Sequence, residues 1–307
     1  MASPEFAIPS LRVLVWERYD VVTVYTKPDR PAGRGLALVS SPVKKAALSL
    51  GLSVREPATL RGEAAAAELA VLHPDVVVVV AYAKILPEPI LCIPEYGCLN
   101  IHPSLLPKHR GASPIPAAIL AGDEFTGVSI MLMEKRLDTG TVLAVEKISV
   151  AGGETTGSLT TKLAQVAARL LTDTLPRWIN GKIIPCIQLD EEATYSSPIT
   201  RASGEIDWSL PAITISRAVR AYNPWPTAYT RWRGKEFKVL SAIPIDSVSD
   251  CEIGTVITLN LASTTVGVVT GRGILGLGEV QLEGRKRISA ADFIRGQRDF
   301  IGSVLPS

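Results

Sequence analysis

Two kinds of apolar pattern divide the chain. Up to about residue 185, continuous β-branched runs alternate with helical periodicity, whereas beyond about residue 207 short apolar stretches are separated by Gly-rich turns. Val21 to Tyr25 and Val76 to Val80 lack the alternation of a half-exposed strand, so they are predicted as strands buried on both faces, as in a parallel sheet. Between them, Pro42 to Leu50 and Gly62 to Leu72 read as helices. A short strand at Gly97 to Ile101, strands at Val128 to Met133 and Val142 to Ile148, and a helix from Leu159 to Trp178 complete this part. The β-α-β rhythm predicts an α/β, doubly wound Rossmann-like domain over residues 1–185, with ligands beyond the carboxyl ends of the strands. Residues 186–206, with their Ser, Thr and acidic residues, are predicted to be a surface linker. Residues 207–307 offer one helix, Pro211 to Ala221. Five short strands follow it, at Tyr229 to Trp232, Phe237 to Leu240, Gly254 to Leu259, Thr265 to Val269 and Ile274 to Leu277, which predict a smaller, OB-like β-barrel.

Composition narrows the class. At 47% hydrophobic residues, 307 positions supply enough apolar surface for two real cores. The 32 Lys plus Arg stand against 30 Asp plus Glu, which excludes a histone-like polyelectrolyte. The charge is uneven all the same: residues 1–206 hold 20 basic and 21 acidic residues, and 207–307 hold 12 and 9. In the second part Arg231, Arg233, Lys235 and Lys238 interleave with Trp232 and Phe237, and Arg285-Lys286-Arg287 forms a run. That pattern suits a phosphate backbone and equally a solvated face. The longest apolar stretch is far short of the ~18 residues of a membrane span. Met1-Ala2-Ser3-Pro4-Glu5 has no basic or apolar leader segment, so a cytoplasmic location without membrane attachment is expected. Cys92, Cys98, Cys186 and Cys251 form no C-x-x-C pair, and neither a metal site nor disulfides are expected.

Three loops follow the strands of the first domain, and candidate chemistry is sought there. The first, Lys27 to Gly35, is too rich in Pro and Gly to be helix or strand and carries three cations against one anion over Lys27 to Arg34. His102 lies two residues after Asn100 on a short strand, and a period of two puts both side chains on one face. An amide can donate to a carbonyl oxygen as charge builds on it, and an imidazole can do the same or manage a proton, which is equipment for acyl transfer to an external amine. Asp138, in Leu137-Asp138-Thr139-Gly140, is a third candidate. Asp-Thr-Gly is also a turn signature in which the carboxylate caps its own backbone, and both readings stand at this point.

Lys27-Pro-Asp-Arg-Pro-Ala-Gly-Arg-Gly35, Val79-Val-Ala-Tyr82 with Ile85-Leu-Pro87, Asn100-Ile-His102, Ser104-Leu-Leu-Pro107, Arg110-Gly111, Leu137-Asp-Thr-Gly140, Ile206-Asp-Trp208 and Asn223-Pro-Trp-Pro226 extend in order over nearly the whole chain. Together they resemble the methionyl-tRNA formyltransferase family. The resemblance implies a monomer that moves the formyl group of its co-substrate, N10-formyltetrahydrofolate, to the α-amine of methionine carried by initiator tRNA. It implies Asn100, His102 and Asp138 as the catalytic set, with Asn100 and His102 stabilising an oxyanion and Asp138 orienting the imidazole and helping to remove the amine proton. Ser104, Leu105, Leu106 and Pro107 would line the folate site, with Tyr82, Ile85 and Leu86 beside the pteridine. Arg30 and Arg34 would meet the acceptor end of the tRNA, and Arg201, Arg231 and Arg233 would add contacts.

Two departures from the family pattern matter. The family begins with a short apolar strand and a Gly-Thr turn before the segment matching Pro4-Glu5-Phe6. Here Ser3 reads as a helix N-cap with Pro4 at the first helical position, and a central strand of the sheet is expected to be missing. Tyr195 to Asp207, rich in Lys and Glu in the family, has Arg201 as its only cation, so its contact with tRNA is expected to be weaker. Three other readings share these residues: a formyltransferase for a small amine such as glycinamide ribonucleotide or an amino sugar, release of formate to water, and an inactive RNA-binding relative.

Overall fold

The computed structural model describes residues 1–32 and 37–307. The chain forms two units: Met1–Pro114, Phe125–Ser149 and Thr160–Ser196 make the first, and Ile115–Glu124, Val150–Leu159 and Ser197–Ser307 the second.

In the first unit the valine run folds as the strand Val77–Val79, parallel to Cys98–His102. Cys98–His102 pairs on its other side, antiparallel, with Phe125–Leu132, which pairs in turn with Val142–Ser149. The sheet is therefore mixed. Only a short turn joins the last two strands, and a turn allows antiparallel neighbours where a parallel pair needs a crossover. The helix Pro42–Ser49 starts at Ser41, whose hydroxyl accepts from Lys44 N at 3.0 Å, with Pro42 at the first position. Thr156–Ile179 buries Leu163, Val166, Ala167, Leu170 and Leu171 at helical spacing.

The opposite edge of this sheet is interrupted. Val24–Tyr25 pairs with Val54–Arg55, and between it and Val77–Val79 runs a slot one strand wide. Residues 1 and 2 set that width: Ala2 N donates to Tyr25 O at 2.9 Å on one side, and Val80 N donates to Met1 O at 3.0 Å on the other. The Met1 amine donates to Val78 O at 2.7 Å, and burial pushes its pKa down to about 5. A cavity of about 390 Å³ lies there, bounded by Val21 to Val24 and Val76 to Val78 and walled by Leu11, Leu14, Leu69, Leu72, Leu175 and Ile179.

Ser3 is not an N-cap. Its hydroxyl accepts from Thr26 Oγ1 and Lys27 N, which have first claim on it, and Pro4 leads into the short turn Glu5–Ala7 before the helix Ile8–Trp16. The Pro- and Gly-rich loop also differs from expectation, because Arg30–Ala32 and Ala37–Val39 pair as an antiparallel hairpin. A proline is tolerated in such an isolated two-stranded edge, where few ladder bonds are required of it.

In the second unit, two four-stranded antiparallel sheets wrap one core as a small barrel. One runs Ala228–Trp232, Lys235–Val239, Glu279–Leu282, Ile288–Ser289; the other Ala242–Ile245, Ile274–Leu277, Thr264–Val269, Val256–Leu261. Trp232, Phe237, Phe293 and Phe300 meet at its centre with ring centroids 5.0 to 5.6 Å apart, mostly edge-on. Phe293 comes from the helix Ala290–Gly296, capped by Ser289 and absent from the sequence reading. Among the described residues no helix is long and apolar enough to cross a membrane.

Candidate active site

Asn100 and His102 leave the same face of a strand that is paired on both sides, with Asn100 opposite Val79 and Met131 and His102 opposite Ser129. His102 is buried and Asn100 half-buried. The turn after Phe125–Leu132 brings Asp138 to them. Asn100 Nδ2 donates to Asp138 Oδ1 at 3.3 Å, and Gly111 N donates to Asp138 Oδ2 at 2.9 Å. His102 Nδ1 stands 3.7 Å from the same Oδ2, close enough for charge to be felt and too far for a hydrogen bond. Asp138 Oδ2, which accepts from Gly111 N, makes no hydrogen bond to the ring. The ring is oriented instead by His109 O, 3.1 Å from Nε2. A carbonyl only accepts, so the proton sits on Nε2 and Nδ1 keeps its lone pair. Burial pushes the His102 pKa below the ordinary histidine value, the neighbouring Asp138 carboxylate pulls the other way, and the ring is neutral at pH 7. Asp138 itself is buried and holds φ +53, a left-handed backbone that few non-glycine residues adopt.

The segment 104–107 is bolted to the neighbouring strand. Ser129 Oγ donates to Ser104 O at 2.7 Å and accepts from Leu106 N at 3.1 Å, while Ser104 Oγ donates to Lys108 O at 2.6 Å. Leu105, Leu106 and Pro107 are half-buried. Tyr82 and Leu86 lie in a core cluster with Tyr25, Leu69 and Ile90, whereas Ile85 is 75% exposed. The Tyr82 hydroxyl is buried without a partner, and burial pushes its pKa up to about 12.

The chain between the two folded parts contributes to the site, which the linker reading missed. Tyr195–Ser196 pairs in parallel with Arg110–Gly111, Cys186 bridges Val142, and Gln188 is buried between Arg110 and the Asp138 turn. The signal in the sequence was slight: a single Gln and a Tyr-Ser pair flanking an acidic cluster. Among the described residues no group of three or more His, Cys, Asp or Glu side chains is arranged to hold a metal ion.

Two family models match: Formyl transferase over residues 11–175, and Formyl transferase, C-terminal domain, over residues 198–298. The chain belongs to the formyl transferase family. Among its relatives, the methionyl-tRNA formyltransferase of Roseiflexus sp. (strain RS-1) is 47% identical over 97% of this chain and 91% of its own. That of Methylococcus capsulatus is 44% identical over 95% and 94%. A sugar 3N-formyl transferase solved in the presence of dTDP and 5-N-formyl-THF shares the fold, with a TM-score of 0.64 at 16% identity over 93% of this chain and 97% of that one.

Arg30 is exposed on its hairpin, and Arg34 lies outside the described residues. In the barrel Arg201 is paired with Glu236 and Arg233 with Asp299, while Arg231 is exposed. Arg201, Arg231 and Tyr229 share a depression with Glu236 and Glu283, so its charge is mixed. Arg233, Lys235, Arg285 and Lys286, with Glu283 and Asp292 beside them, line a second, of about 420 Å³, next to Trp232.

Proposed function

We propose that this chain transfers the formyl group of N10-formyltetrahydrofolate to the α-amine of methionine esterified to initiator tRNA, in the cytoplasm. The observation that carries the reading is the 47% and 44% identity, over more than nine-tenths of each chain, to relatives named for that reaction. The first unit, which includes Thr160–Ser196, is assigned the chemistry and the second the grip on tRNA.

The residues fit a folate. Leu105, Leu106 and Ile85 offer apolar surface for a flat ring, and the unpartnered Tyr82 hydroxyl is a donor that a ring nitrogen or amide oxygen would satisfy. When bound, the folate supplies the formyl group as an N-acyl donor. Asn100 spends one N–H on Asp138 and has a second to give to the formyl oxygen as negative charge develops there. The methionyl α-amine, with an intrinsic pKa of ~7.7 to 8.0, is partly unprotonated near neutrality. His102 takes the proton that this amine sheds, at Nδ1, and would return it to the folate nitrogen that departs as the formyl C–N bond breaks, while Nε2–H stays on His109 O. Asp138 stabilises the resulting imidazolium across 3.7 Å. Arg30, Arg34 and Arg231 meet phosphates, joined by Arg201 and Arg233 once these exchange their carboxylate partners for phosphate.

A single-turnover assay offering charged initiator tRNA together with glycinamide ribonucleotide and an amino sugar tests the assignment. The expected product is formyl-methionyl-tRNA alone. Formyl appearing on the amino sugar, with the tRNA untouched, would sink it.

A further inference from the structure

We infer that Gln188 is a positioning residue for Asp138, an inference that rests on the catalytic reading above. Its amide is buried and uses both ends. Nε2 donates to Asp138 O at 3.0 Å and to Gly140 O at 2.7 Å, and Oε1 accepts from Arg110 Nε at 3.0 Å. The orientation is not interchangeable: the guanidinium can only donate and the two carbonyls can only accept, so the amide cannot flip.

These bonds close a ring around the carboxylate. Arg110, fully buried and paired through Nη1 with Asp190 at 2.8 Å, precedes Gly111, whose N–H holds Asp138 Oδ2. Gln188 thus ties the backbone of the Asp138 turn to the same segment that binds the Asp138 side chain. Asp138 needs that tie because its own conformation is left-handed, and a turn so strained relaxes unless its surroundings over-determine it. Gln188 touches neither Asn100 nor His102 by any described bond, so it acts through Asp138. The groups facing His102 are Asp138 from the turn and His109 from the following loop.

Gln188→Met keeps length and removes both donors. It is expected to lower kcat about 10-fold or more, since displacements near 1 Å carry such costs, with KM for charged tRNA and for folate within about two-fold. It should also move the titration of His102, followed by NMR of the imidazole, to lower pH, because the carboxylate that favours the imidazolium has drifted. Gln188→Glu keeps the pairing with Arg110 and sets an oxygen against two carbonyls, so it should reproduce both effects and serves if the Met variant does not fold. In an Asp138→Asn background, Gln188→Met should cost less than about two-fold. A folded variant with wild-type kcat and an unmoved His102 titration overturns the inference. The NMR readout needs no turnover, so if the wild type fails to formylate charged tRNA, the functional reading falls while the positioning of Asp138 is still judged.

Discussion

The strand Cys98–His102 and the strand Val24–Tyr25 belong to one domain and are held in opposite ways. The first is hydrogen-bonded on both sides, and the loop that follows it is strapped by Tyr195–Ser196. The second is paired on one side, and on the other it faces a slot in which residue 2 supplies the hydrogen bond. Asn100 and His102 ride on the fully paired strand. The two strands belong to separate sheets of one unit, so changes at the slot are expected to act on stability and changes at the strapped strand on the chemistry proposed above.

The largest effect expected lies on the chemical side. His102→Ala should lower kcat by ~10² or more with folate affinity nearly intact, because such groups act chiefly in the transition state. Calorimetric folate titration beside single-turnover rates checks this, and an unchanged kcat would remove His102 from the mechanism. Asp138→Asn should keep the turn and lose most activity, and its pH profile carries the sharper information. His102 must be neutral to take a proton, so activity falls as pH drops through its pKa, which burial already holds below the ordinary value. The carboxylate is the opposing influence. Without it, the acid limb of kcat should move further down, not up; an upward move would contradict the assigned geometry.

On the slot side the effects are in stability. An extended apolar segment of about five residues placed ahead of Met1 should raise Tm by roughly 5 °C or more through new ladder bonds and apolar burial, leaving kcat well below Tm unchanged. No gain in Tm would mean that the slot does not accept a strand. The buried Met1 amine gives this a pH signature. Its folded pKa is about 5 against an ordinary 8.0, so the unfolded chain binds the extra proton between those values. Stability is at its fullest above pH 8 and declines as pH falls towards 5. The extension removes that amine and should flatten the slope.

The smallest effects belong to the surface cations. Arg231 makes no ion pair among the described residues, whereas Arg233 is held by Asp299. Arg231→Ala should reduce the slope of log kcat/KM against log salt by ~1 for charged tRNA, and Arg233→Ala by less. Equal slopes would show that Asp299 does not compete.

The Asn100 and His102 pairing was legible because a strand's period of two is local. Asp138 could be named but not placed, since the bond that brings it to Asn100 spans 38 residues. The rest was hidden by range. Gln188 reaches Asp138 across 50 residues and Arg110 across 78, and no local pattern encodes such a meeting. Residues 186–206 looked solvated because most of them are; only Gln188 and Ser196 turn inward between exposed neighbours over 187–198. Val21 to Tyr25 and Val76 to Val80 were read as strands of a parallel sheet and pair in parallel; the antiparallel neighbour of Cys98–His102 was not legible, since a strand buried on both faces has the same composition whichever way its neighbours run.

Asp138 has one more consequence, for descent rather than for mechanism. Its left-handed backbone is a conformation that Asn and Gly enter more readily than most residues. Local backbone preference therefore does nothing to retain the carboxylate, and a drift to Asn would keep the turn and the Gln188 bonds while setting an amide N–H against one of the two donors, Asn100 Nδ2 or Gly111 N. Both donors, Asn100 Nδ2 and Gly111 N, are met by an acid at this position and only one of them by an amide. A lineage released from selection on the reaction would pass to a folded, catalytically silent relative in a single substitution, marked by the loss of one of the two bonds that Asp138 accepts.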